Sequence, residues 1–331
     1  MEIKSILVSR TDSIGDVVLT LPITAWLKLH FPKAKITFLC KNYTKPIVQN
    51  FKSVDAILCN SDLFKDEKKA ITLLSEFDVI IHVFPDKKIA RLAKKARIKW
   101  RIGTSHRLFH WLTCNKKVSF TRKNSELHES QLNYYLLKPL GLKQIPSYSQ
   151  IGETMDYYEP KAYQLPDMLS TLDYSKAIIL HPKSQGSAQE WPVFKFNELA
   201  MQLVTAGFIV LFTGTENEGK LFRDEINWQE RIVDVTGKLD LFQLQTLIHK
   251  SFALVACSTG PYHVAGIAGI KAIGLFAPIR PIHPGRWKAL GKKAVSLTYD
   301  SAFKVGSQPQ SSDMVSKISV FDVLKAIEDG N

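Results

Sequence analysis

Apolar residues recur along the first half of the chain in short runs separated by helix-length stretches, the spacing of a parallel sheet wound with helices. Residues 5–9 are apolar and β-branched and predict a strand, residues 16–30 carry helical spacing, and residues 36–40 predict the next strand. Further runs at 56–58 and 79–83 alternate with helix-like stretches at 65–77 and 88–96. Residues 126–140 then read as a helix that stops at Gly141.

From about residue 143 to 175 the periodicity fades, and Pro146, Pro160 and Pro166 stand among many Tyr, Ser and Asp residues, the composition of a linker. A second wound series follows, with strands expected at 177–180, 208–212, 232–235, 252–256 and 272–276. The last segment, 314–328, places Val315, Ile318, Val320, Phe321, Leu324 and Ile327 on a helical stripe that must pack on something. The expected organisation is a Rossmann-like domain at 1–165, a second at 166–313, and a C-terminal helix at 314–331 packing back on the first.

A length of 331 residues with 45% hydrophobic content suits two cores better than one. No apolar run approaches the roughly 20 residues that span a bilayer, and the first residues lack the order of a signal peptide, so a cytoplasmic location is expected. Cys40, Cys59, Cys114 and Cys257 form no CxxC pair, and the nine histidines show no HExxH spacing. Reduced thiols and no protein-bound metal are therefore expected. The net charge of +13 is uneven: residues 1–165 hold 27 Lys and Arg against 15 Asp and Glu, and the remainder 17 against 16. A basic first half beside a near-neutral second suggests a polyanionic partner such as an anionic membrane face, with a merely solvated surface as the alternative.

Four segments could carry chemistry. Arg10-Thr-Asp-Ser-Ile-Gly-Asp16 falls between the first strand and first helix, where wound sheets present ligand sites. Gly15 would allow close backbone approach and Asp16 would project a carboxylate, unless Asp12, Ser13 or Asp16 simply caps the helix. In Cys257-Ser-Thr-Gly-Pro-Tyr-His263, Thr259 and Gly260 could offer a hydroxyl and amides to a diphosphate, Pro261 suits a helix start, and His263 could donate a further hydrogen bond. The polar loop from His181 to Trp191-Pro192 holds Lys183, Ser184 and Ser187, and would serve a phosphate or sugar as readily as it would an aromatic-anchored surface turn. Arg101 to Trp111 interleaves Arg101, His106 and Arg107 with aromatics, a surface for a phosphorylated or sugar ligand; no nucleic-acid fold motif accompanies it.

Taken in order, SRTDSIGDVVLTLP, HPKSQGSAQEWPVFKFNELA, STGPYHVAGIAG and LFAPIRPIHPGRW resemble glycosyltransferase family 9, the ADP-heptose:lipopolysaccharide heptosyltransferase family, over nearly the whole chain. The resemblance implies an α/β GT-B fold, two Rossmann-like domains facing across a cleft, and metal-independent, inverting transfer. It implies Asp16 as the base, Ser13, Gly15, Arg101, His106 and Arg107 at the acceptor, and Ser184, Ser187, Gln189, Ser258, Thr259, Gly260, Pro261 and His263 at the donor. Either Glu216 or Glu218 would touch the donor ribose. No cofactor is implied beyond a nucleotide-sugar co-substrate, ADP-linked. The implied partners are that donor, a phosphorylated lipid-linked glycan and an anionic membrane met peripherally by a monomer, with no nucleic acid. Two positions depart from the family pattern: many members have Lys where Gln189 stands and Asp where Ser258 stands.

Overall fold

In the computed structural model, described for residues 2–122, 125–299 and 314–329, twelve strands form two sheets of six, and every pairing within them is parallel. The chain divides into two units, Met1–Glu159 and Pro160–Asn331.

In the first unit, β1 (Ser5–Ser9), β2 (Lys35–Cys40), β3 (Ala56–Cys59), β4 (Val79–His82), β5 (Trp100–Thr104) and β6 (Lys116–Val118) lie in the order β3-β2-β1-β4-β5-β6. Helices cover the sheet, so its central strands β1 and β4 are buried almost without interruption and read as continuous apolar runs. The order reverses between β1 and β4, which makes their carboxyl ends a switch point where a ligand crevice belongs. β5 and β6 escape the apolar pattern because Arg101, Lys116 and Lys117 interrupt them.

The expected helix at 16–30 is two helices, Ile14–Val18 and Pro22–His30. Pro22 has no amide to continue the ladder, so the chain turns at Leu19–Leu21 and restarts. The segment at 126–140 likewise divides into an α-helix, Glu129–Tyr134, and a 3-10 stretch, Tyr135–Leu140, that contains Pro139 and ends on Gly141 at φ +102°.

Much of the expected linker is ordered. Ser147 and Gln150 form a reciprocal capping box that starts the helix Tyr148–Glu153, and Phe51 bridges to Tyr158. The unit boundary therefore falls at Glu159/Pro160, ahead of the one expected after residue 165.

The second unit repeats the plan, with β7 (Ala177–His181), β8 (Ile209–Phe212), β9 (Ile232–Asp234), β10 (Ala253–Cys257), β11 (Lys271–Leu275) and β12 (Ala294–Leu297) in the order β12-β11-β10-β7-β8-β9. Its switch point lies between β7 and β10. Trp191, fully buried, anchors the core beside Phe196 and donates Nε1–H to Ile318 O at 3.0 Å. That bond, with Lys195 Nζ on the same carbonyl at 2.8 Å, ties down the C-terminal segment.

The C-terminal helix, Val320–Glu328, was expected to pack back on the first domain and instead belongs to the second unit's core. Val320, Val323, Ala326 and Ile327 join the cluster containing Trp191 and Phe196, because the carbonyl anchors deliver the stripe onto the helix Val193–Thr205. The expected boundary at residue 313 borders residues 300–313, which lie outside the described residues.

The helix Gly260–Ile267 packs closely at its far end. A Cβ on Gly266 would stand 2.4 Å from Leu290 O and 2.7 Å from Ala289 Cβ, so backbone would have to move. Gly266→Ala is expected to cost about 1–3 kcal/mol through overpacking, read as a lowered midpoint in urea; an unchanged midpoint would show that the contact yields freely.

Candidate functional site

At the first switch point the turn after β1 carries one buried cation facing three carboxylates. Arg10 is 4% exposed. Its Nε donates to Asp12 Oδ1 at 2.8 Å, its Nη2 donates to Asp16 Oδ1, and its Nη1 lies 3.6 Å from Glu129 Oε1. A guanidinium is the group for this place, because its planar fork serves several acceptors at once. Burial alone would pull its pKa down, but Asp16, Asp12 and Glu129 together outweigh burial and hold it above the ordinary value.

Asp16 keeps 18% of its side chain accessible. Its Oδ1 accepts from Arg10 and its Oδ2 from the Ser13 hydroxyl. Ser13 occupies the cap position of Ile14–Val18 yet makes no side-chain cap bond; its hydroxyl goes to Asp16 instead. Simple helix capping therefore does not account for the pair. Gly15, buried, follows Ile14 in the first turn. Asp12 has its carboxyl pushed up to about 6, by burial first, with Arg10 opposing and the charge of Asp16 adding. Its backbone carbonyl accepts from Tyr43 Oη at 2.7 Å.

Arg10 and Asp12 belong to the opening motif, and their spacing from Asp16 is visible in the sequence. Glu129, 1% exposed, comes from a helix far along the chain and left no local signal. Arg122 Nε donates to it at 3.0 Å, fixing the carboxylate beneath Arg10.

Beneath the same strand ends, Ser9 Oγ, both ring nitrogens of His82 and Nε2 of His110 are buried without a hydrogen-bond partner. His82 is pushed down to about 3, by burial above all, with His110 and Arg101 contributing, and so it is neutral.

The expected acceptor residues separate. Arg101 lies in register with Ile80, inside the sheet, and spends its guanidinium on Thr113 O at 2.7 Å and on Ile98 O. It braces the ends of two turns. His106 and Arg107 follow β5 and are exposed.

At the second switch point, Ser258 and Thr259 follow β10 and the helix Gly260–Ile267 begins, with Pro261 in its first turn. Thr259 takes the cap position, 6% exposed, makes no side-chain cap bond, and its Oγ1 has no partner. A buried hydroxyl left unmatched at a helix N-terminus is an arrangement that an anion completes. His263 lies one turn on, buried.

Gln189 and Ser258, the two departures from the family pattern, line one cavity of about 110 Å³ with Phe276, Ile279 and Arg280. The fold thus brings together two positions that the sequence holds far apart.

The loop after β7 is engaged with itself. Glu190 accepts from Lys183 Nζ at 3.1 Å, Ser184 N at 2.7 Å and Ser184 Oγ at 3.0 Å, and Ser187 Oγ donates to Ser184 O at 2.7 Å. Lys183 is thereby matched by Glu190 rather than free for a phosphate. Gln185 and Gly186 take the left-handed turn, φ +52° and +78°, that lets the loop fold onto Glu190.

The two glutamates after β8 also divide. Glu218 is buried and closes a capping box, accepting from Thr215 N at 2.7 Å and Thr215 Oγ1 at 2.8 Å. Glu216 keeps 52% of its side chain accessible and holds Arg223 by two bonds of 2.7 Å. Of the pair, Glu216 is the one that reaches solvent, with both its oxygens paired to Arg223.

Among the described residues no group of three His, Cys, Asp or Glu is placed to hold a metal ion, and no helix is long and apolar enough to cross a membrane. The four cysteines are free and buried.

The sequence profile described as glycosyltransferase family 9 (heptosyltransferase) matches residues 70–310. Lipopolysaccharide heptosyltransferase 3 of Escherichia coli (strain K12) is 25% identical over 280 residues, 79% of this chain and 79% of that protein. Among solved structures, the family 9 glycosyl transferase of Veillonella parvula DSM 2008 superposes with a TM-score of 0.77 at 21% identity, covering 99% of this chain and 97% of that one. E. coli heptosyltransferase WaaC with ADP-2-deoxy-2-fluoro heptose gives 0.70 at 17% identity, covering 99% and 100%. The α/β architecture of two parallel six-stranded sheets is that of the GT-B fold.

Asp12 holds its proton more tightly folded, near 6, than in an unfolded chain, near 3.8. Its contribution to stability is therefore full below the lower value and lost as pH rises through the higher one. Asp12→Asn cannot titrate, so the difference in stability between wild type and variant is expected to change across that window in urea unfolding. A difference that stays constant with pH would remove the assignment.

Proposed function

This chain belongs to glycosyltransferase family 9, and on that premise we propose that it transfers a heptose from ADP-heptose, with inversion, onto a lipopolysaccharide core or related surface glycan. The observation that carries the proposal is the Asp16 carboxylate, accessible at the switch point and held on one oxygen by buried Arg10 and on the other by Ser13. A carboxylate so fixed has few rotamers to lose and is aimed before substrate arrives.

In the proposed step Asp16 takes the proton of the acceptor hydroxyl as that oxygen forms its bond to the anomeric carbon. The bond from that carbon to the diphosphate breaks, and the nucleoside diphosphate leaves with the electron pair. Its growing charge is met by the amides at the start of Gly260–Ile267, by Thr259 Oγ1 and by His263, with no metal in the route. Thr259 is suited to this because its hydroxyl has no competing partner within the protein. Glu216 is the acid we assign to the donor ribose, since it is half exposed while Glu218 is buried in its capping box.

The acceptor belongs, in this reading, to the basic first unit, with His106 and Arg107 exposed to meet it and Ser13 and Gly15 beside the base. A phosphorylated, lipid-linked glycan matches that charge and brings the enzyme, as a monomer, to the cytoplasmic face of an anionic membrane.

Asp16→Asn keeps the size of the side chain and its bond to Ser13 while removing the base. It is expected to lower kcat by about 10²–10⁴-fold while ADP binding, measured by calorimetry, stays near wild type. Turnover close to wild type would defeat the assignment.

A second reading concerns the donor alone. Gln189 and Ser258 share a cavity wall with Arg280, where many family members place Lys and Asp, and this altered lining makes a non-heptose donor the alternative. Mass spectrometry of products from ADP-, GDP- and UDP-sugars with truncated lipopolysaccharide cores decides between them. A heptosylated product alone supports the first reading, and a different sugar supports the second.

A further inference from the structure

One cavity in the first unit lies away from the Arg10–Asp16 turn. About 1010 Å³ in volume, it runs between the helices Lys87–Lys95 and Leu108–Thr113. One wall is cationic. Lys87, Lys88, Arg91 and Lys94 all line it from an amphipathic helix whose other face, Ile89, Ala90, Leu92 and Ala93, is buried in the core. Glu67 is its single acid, and Glu67 is engaged by Lys95.

The other wall is apolar and faces out. Leu108 is 89% exposed and Leu112 73%, and Trp111 beside them is 60% exposed. The helix is held from beneath by His110, whose Nδ1 bonds Thr104 O at 3.0 Å, and by the Trp111 indole on Ser105 O at 2.9 Å. These anchors fix the backbone and leave the leucines turned outward. Two exposed leucines and a tryptophan on one short helix are more apolar surface than a solvated face needs.

We infer that this groove is a membrane-docking surface, in which Leu108, Trp111 and Leu112 enter the headgroup boundary of an anionic bilayer while the cations of Lys87–Lys95 meet lipid phosphates. The inference rests on the proposed lipid-linked acceptor, which requires the enzyme to work at a membrane. Charge selects the partner: each Lys or Arg held at an anionic surface is worth about a fivefold gain in partitioning, and four stand together here. The apolar wall argues for lipid over nucleic acid, because aliphatic leucines offer no stacking platform to bases. Tryptophan beside leucine also suits the interface, where one edge of the ring meets water and the other acyl chain.

The test uses the full chain and vesicles of phosphatidylcholine, alone or doped with phosphatidylglycerol. Wild type is expected to sediment with the doped vesicles and to be released by salt. Two double variants separate the contributions: Leu108→Ser with Leu112→Ser removes the apolar wall, and Arg91→Glu with Lys94→Glu reverses part of the charge. Each is expected to weaken binding about tenfold or more.

All four side chains lie outside the two switch-point turns, so thermal unfolding and transfer onto a delipidated, water-soluble core are expected to match wild type. Equal vesicle binding by wild type and both variants overturns the inference. So does retention by single-stranded RNA, or self-association through this face, in the absence of vesicle binding. If the chain binds doped vesicles through these residues yet transfers no sugar from any donor, the proposed function fails and the docking surface stands.

Discussion

A buried guanidinium among three carboxylates is the constraint on which the first unit's switch-point turn depends. Arg10 follows β1 at the point where the sheet order reverses, and only 4% of it is exposed to solvent that could compensate its charge. A cation in that position is tolerable only with anions and hydrogen bonds around it, and removing one partner of such a set costs far more than the set contributes as a whole. Asp12, Asp16 and Glu129 meet the need from three directions. Asp12 and Asp16 keep accessible edges while Glu129 does not, so the electrostatic requirement of the interior also fixes the carboxylates that reach the surface at this turn. Burial, with the charge of Asp16 adding and Arg10 opposing, pushes Asp12 upward and gives the turn a pH-dependent stability.

The second unit answers the opposite problem. Its turn after β10 presents a helix N-terminus and a buried hydroxyl with nothing to accept or donate to, a deficit that a negatively charged ligand would fill. Polar groups elsewhere in the unit are already matched: Lys183 and Ser184 by Glu190, and Glu218 by Thr215. Polar side chains that satisfy one another hold their loops rigid, and what is left unsatisfied marks where a ligand belongs. Gly266 allows the far end of that helix to sit against the backbone of Leu290, which sets where the N-terminus points.

Much of this was legible in the chain. The central strands β1, β2, β4, β7, β10 and β11 are continuous apolar runs because helices cover both faces of each sheet, and such runs are read directly. The edge strands β6 and β12 and the Arg-bearing β5 were not, since short strands with one solvated face carry little pattern. The break at Pro22 was written in the sequence, as was the capping box of Ser147 and Gln150, but helical periodicity on one side and proline-rich composition on the other concealed them. Asp16 and Thr259 stood out in their motifs. Arg101 looked like a ligand contact and serves as a brace for backbone carbonyls, a role that residue type cannot distinguish.

By itself the sequence determined the class of fold and the family, and singled out the two turns proposed to carry chemistry, because periodicity and motif order are local and survive without coordinates. Only the tertiary structure decided which polar groups are already matched. It placed Glu129 under Arg10, Glu190 on Lys183, Gln189 beside Ser258 and the C-terminal helix on the second unit's core. Hydrogen bonds and ion pairs between distant segments depend on distances of a few ångströms that no spacing along the chain encodes, and those distances separate a side chain open to substrate from one already bound to its neighbour.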